Sequence, residues 1–165
     1  MIKKFIQPIF LGAIAAGGAL VFELLISSFF PAYDFSTAAL SFNIVIFLII
    51  AAAIEEFFKL LVIYKGLFLQ KSNAREFLSS ALLLGFGFAL AEIAISNYFS
   101  LSGNPNLYFG ILGIILVHML SAGSIGWFLL KIRAGIFPVL AIALLAATAF
   151  HFAYNAAVIS GYLQK

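Results

Sequence analysis

Apolar runs long enough to cross a bilayer recur from one end of the chain to the other, and nothing constrains its fold more. Five can be drawn, approximately Phe5–Phe30, Phe42–Gln70, Phe77–Ser100, Tyr108–Leu130 and Phe137–Tyr162. At about 1.5 Å per residue, each covers roughly 30 Å of hydrocarbon as an α-helix. The breaks at 31–34, 71–75, 102–106 and 131–135 hold turn formers or charge, as backbone that must meet water does. With 65% of residues hydrophobic and 9% charged, the surface of this chain cannot face water. The expectation is an all-α fold, a polytopic membrane helix bundle of about five transmembrane helices. It forms a single domain over residues 1–165 and belongs in the cell membrane.

Charge orients the bundle. Lys3, Lys4, Lys71, Arg75, Lys131 and Arg133 fall on one side of the five-span drawing, against Lys165 on the other. By the positive-inside rule the N-terminus is cytoplasmic and the C-terminus lies outside. The first apolar run outlasts a signal-peptide core, so an uncleaved span is expected. Tyr33, Tyr98, Tyr108, Trp127 and Tyr162 fall near span ends, where amphipathic rings prefer to lie. The net charge of +3 is scattered through short loops and offers no stripe to nucleic acid. Without cysteine, thiolate catalysis and disulfides are excluded.

Against this background a few polar groups stand out. An ionisable side chain near mid-bilayer costs at least about 2.5–3.5 kcal/mol. Glu55, Glu56, Lys59, Glu92, His118 and His151 all lie inside predicted spans, with Asn155 as a neutral companion. One shared polar cavity accounts for all of them together. Counted from the cytoplasmic ends, His118 lies roughly 18 Å deep, His151 roughly 21 Å and Glu92 roughly 22 Å. Glu55 reaches roughly 21 Å if its helix continues past Tyr64 to Gln70, which Leu67, Phe68 and Leu69 favour. Lys59 is one turn from Glu55, while Glu56 is rotated by about 100°. One glutamate therefore goes to the cavity and the other to Lys59. His151 and Asn155 share a face, as do Phe88 and Glu92. Glu23, in the outer part of the first span, is expected to snorkel or pair, and Asn97 and Ser121 receive no role. The small residues of 12–18, 85–87 and 122–126 read as packing seams.

Glu55-Glu56-Phe-Phe-Lys59 fits EExxK, Phe88-Ala-Leu-Ala-Glu92 fits FxxxE, and His151-Phe-Ala-Tyr-Asn155 fits HxxxN, with His118 between the last two. In this order the motifs resemble the PrsW-like intramembrane proteases, relatives of the CAAX-protease and bacteriocin-processing enzymes. The resemblance implies hydrolysis of peptide bonds in a membrane-anchored protein substrate by an enzyme often described as a metalloprotease. The CAAX branch usually carries EExxxR and FxxxH, so prenyl-protein processing fits poorly.

Amide hydrolysis needs an activated water, a stabilised oxyanion and a proton for the leaving amine. Glu55, or less favoured Glu56, is the expected general base. His118, His151 and Glu92 supply three ligands for Zn2+ or another divalent metal and leave the open position of a catalytic site. Alternatively, the imidazoles donate hydrogen bonds to the oxyanion without an ion. Asn155 is a second oxyanion donor or an orienter; Lys59 and Phe88 support the site. Two other classes remain open: a proton- or ion-coupled transporter, and a non-catalytic membrane scaffold.

Overall fold

The computed structural model describes residues 3–29, 42–68, 73–95, 106–131 and 136–163, which are helical apart from short turns. The helices are α1 Lys3–Ser27, α2 Phe42–Val62, α3 Ala74–Ile95, α4 Asn106–Leu130 and α5 Ile136–Leu163. Helix is what lipid demands, because apolar surroundings offer backbone N–H and C=O groups no other partner. Four stretches are long and apolar enough to cross a membrane: Phe5–Ser27, Ala74–Ile95, Gly110–Leu130 and Phe137–Val158. α2 is set apart by Glu55, Glu56 and Lys59 in its interior. It runs on as a π-helical turn over Ile63–Phe68, so the second helix does pass Tyr64, as its apolar continuation suggested. Asn73 caps α3: its side-chain oxygen accepts from the Arg75 N–H at 2.9 Å.

Side by side, the helices close into a ring in the order α1, α3, α4, α5, α2, and α2 also touches α4. Small residues set the seams. A Cβ on Gly85 of α3 would stand 2.7 Å from the His118 carbonyl carbon and 2.8 Å from the Met119 Cα. Gly87 lies as tightly against the backbone of Ile9 in α1. Such contacts replace the hydrophobic drive that lipid removes between helices. Phe10, Leu24, Phe137 and Leu145 point outward and are more than half exposed, as lipid-facing side chains are.

The buried apolar residues flank the polar level on two sides. Leu60, Ile63 and Leu67 meet Phe77, Ala81, Leu84, Ala122, Ile125 and Leu129 to form a continuous floor. Toward the other end, Ala89, Ile93 and Ile114 pack together. The floor lies at the end of the bundle that holds Asn73 and Lys131, the end that the charge rule predicts to be cytoplasmic. Tyr33, Tyr98 and Asn97 lie outside the described residues, as do the side chains of Tyr108 and Tyr162. Trp127 is half exposed, with Lys131 Nζ 5.6 Å above its ring.

Candidate active site

Between floor and roof, α2, α3, α4 and α5 bring their polar side chains to one level. Glu56, Lys59, His118 and His151 are each at most 1% exposed, and Glu55 is 8% exposed. Lys59 decides between the two glutamates. Its ammonium donates to Glu56 Oε1 at 2.6 Å, three residues back on the same helix. It also donates to His118 Nδ1 at 2.7 Å and to Ser121 Oγ at 3.2 Å on α4. Those bonds use all three ammonium hydrogens. The Phe88 ring lies 4.5 Å below the same nitrogen and 4.9 Å from the His118 ring. Phe88 therefore shields the ammonium and His118.

These bonds assign the imidazole tautomers. An ammonium has no lone pair to offer, so His118 Nδ1 must be the acceptor. Nε2 then carries the proton and donates it to Glu92 Oε2 on α3. On α5, His151 donates from Nδ1 to Glu56 Oε1 at 2.9 Å, which leaves Nε2 with a free lone pair. A carboxylate behind an imidazole in this way fixes the ring for ligation by its other nitrogen. The two rings meet edge to face with centroids 4.8 Å apart. Asn155, for which the sequence left open an oxyanion donor or an orienter of His151, is half-buried and makes no hydrogen bond among the described residues, and Glu56 is the group that holds the ring.

Glu55 faces the imidazoles differently. Its Oε2 is buried without a hydrogen-bond partner, 3.9 Å from His118 Nδ1 and 3.8 Å from His151 Nε2. Donor atoms of Glu55, His118 and His151 all lie within 4.8 Å of one another. Ligands about 2.0–2.2 Å from a tetrahedral zinc stand about 3.4 Å apart, a spacing that Glu55 Oε2 and His151 Nε2 at 3.8 Å come near. The orphaned carboxylate oxygen and the free His151 nitrogen are the donor chemistry that a divalent ion requires, so the residues fit one. The sequence placed Glu92 in that set; the compact group has Glu55, and Glu92 sits beside it on His118.

A pocket of about 280 Å³ opens from this level between α1, α2 and α3. Its walls are Ala16, Ala19 and Leu20 of α1 with Phe88 and Ile95 of α3, and Glu23, Glu55 and Glu92 bring carboxylates to it. Sequence reasoning gave no role to Glu23 or to Ser121. Ser121 is one turn from His118 and so shares its face. Glu23 is the one ionisable residue between Phe5 and Ser27, and its place near a span end hid it among side chains expected to snorkel.

An all-helical membrane bundle with a buried carboxylate–imidazole centre, sealed on one side and open to a pocket on the other, defines a class of protein that works inside the bilayer. Residues 3–164 match the model of the PrsW family intramembrane metalloproteases, and the chain belongs to that family. No curated protein and no solved structure matches the chain. Family and fold together make it a multi-pass integral protein of the cell membrane and a protease, whose substrate is protein and whose solvent is lipid.

Proposed function

We propose that the chain hydrolyses a peptide bond of a membrane-anchored protein in the pocket beside Glu55, with a divalent ion held by Glu55, His118 and His151. The observation that carries this reading is the orphaned Glu55 oxygen 3.8 Å from the free Nε2 of His151. When bound, the ion supplies a Lewis acid that polarises the water and the scissile carbonyl. Zn2+ suits two imidazoles and one carboxylate.

The protein groups around it divide the remaining work. Glu92 lines the pocket and is the carboxylate left to take a proton from the attacking water, returning it to the leaving amine. His118 would ligate through Nε2, because Lys59 occupies Nδ1, and the Nε2 proton would leave through the pocket to bulk water, so that Glu92 stays ionised as the base. Glu56 orients His151 and balances Lys59, which in turn holds His118 and Ser121. Asn155, one turn from His151, is the neutral donor proposed for the oxyanion. This reading exchanges the roles suggested by the motifs, where Glu55 was the base and Glu92 a ligand. Kinship with the CAAX-protease and bacteriocin-processing enzymes belongs to the same proposal, on the order of the motifs alone.

The test is cleavage of a labelled transmembrane peptide by purified protein in detergent, read beside bound metal. Glu55→Gln and Glu92→Gln should each slow cleavage by about 100-fold or more. Glu92→Gln should keep the metal, and Glu55→Gln should lose it. The mirror pattern would restore Glu55 as base and Glu92 as ligand. Normal cleavage by both variants would end the reading.

A further inference from the structure

The pocket beside the centre contains a carboxylate that the hydrolysis above does not use. Glu23 reaches it from α1, the one helix that contributes nothing to the buried cluster. Its Oε1 is buried and makes no hydrogen bond among the described residues. Glu55 Oε2, which lines the same pocket from α2, is likewise unpartnered, in a residue that is 8% exposed. Among the described residues nothing basic lines the pocket, and the nearby Lys59 has spent its hydrogens on Glu56, His118 and Ser121. The protein thus brings a carboxylate oxygen to a pocket in which the described residues offer no donor for it.

Shape narrows the choice of what fits. At about 280 Å³ the pocket has room for several waters of about 30 Å³ each, and so for one long side chain. The wall between Glu23 and the centre is apolar, and Ala16 and Ala19 keep it open. Apolar walls ending in a carboxylate suit a side chain with a methylene stem and a cationic head. Glu23 is four residues from the end of α1, about 6 Å along the axis, so the head need not sit deep in the hydrocarbon.

We infer that this pocket is a substrate subsite that receives a lysine or arginine side chain next to the scissile bond, with Glu23 as its specificity residue. The inference rests on the proposed protease reading and adds the substrate class to it. Glu23 acts on substrate choice, and Glu55, His118, His151 and Glu92 act on the bond.

The experiment uses pairs of transmembrane peptides in detergent, where differences in membrane insertion drop out. Each pair carries lysine or norleucine at one position near the cleavage site. The wild-type protein should prefer lysine at one position by about tenfold or more, the size of one hydrogen bond to a charged group. Glu23→Gln should bring that ratio close to one, and Glu23→Lys should favour a peptide with glutamate there. An unchanged ratio in Glu23→Gln overturns the inference. So does equal loss of both peptides, because the carboxylate would then serve the reaction or the fold. If the wild type cuts with no lysine preference, the subsite fails and the protease stands. If it cuts no peptide at all, the protease reading fails and this one with it.

Discussion

Lys59 is the residue on which the others turn. It is fully buried, and it holds Glu56 on its own helix and His118 and Ser121 on α4. Removing one partner of such a pair leaves a charge in a place that cannot solvate it. Lys59→Met should therefore cost about 3–5 kcal/mol, measured as unfolding of the purified protein in detergent. Adding Glu56→Gln to it should recover most of that loss, since the amide still accepts from His151 and no unpaired charge remains. Activity should stay low in the double variant, because His118 would lose the donor that fixes its tautomer. The sequence revealed every ionisable side chain of this buried cluster, because such groups inside an apolar run are conspicuous, and it missed the hydroxyl of Ser121. It left open which glutamate meets Lys59, since an i,i+4 pair with Glu55 and an i,i+3 pair with Glu56 are both one turn away. Position on the ring of helices makes that choice, and the ring is not visible in a single strand of text.

At the scale of elements, α3 is the helix most tightly committed to its neighbours. Gly87 meets α1 and Gly85 meets α4 at His118, so the seam that carries the imidazole has no room for a side chain. Gly85→Val should cost about 1–3 kcal/mol by overpacking and should slow cleavage further than that loss of stability explains, since His118 moves with its backbone. A variant that unfolds earlier yet cleaves normally would separate the seam from the site. Helix positions were legible to within a few residues because the bilayer sets both the length and the composition of a span. The π-turn over Ile63–Phe68 was legible only as a continuation of α2. Its wider winding depends on how Ile63 and Leu67 pack into the floor, where both are fully buried.

For the whole molecule, the apolar floor and the off-centre pocket make the bundle one-sided. We propose, on the charge rule, that the N-terminus is cytoplasmic, so that the floor shields the centre from the cytoplasm and the pocket opens toward the other half of the bilayer. The absence of cysteine gives that orientation a clean test. In intact cells a membrane-impermeant thiol reagent should label Ser28→Cys and spare Lys131→Cys, both exposed positions; the reverse would invert the topology. The account as a whole stands on three side chains from three helices meeting at one point. Co2+ titration of the purified protein, read by visible absorption, tests this most directly. One tetrahedral ion per chain should bind to the wild type, and Glu55→Ala, His118→Ala and His151→Ala should each lose it. An unchanged spectrum in all three variants would contradict the account.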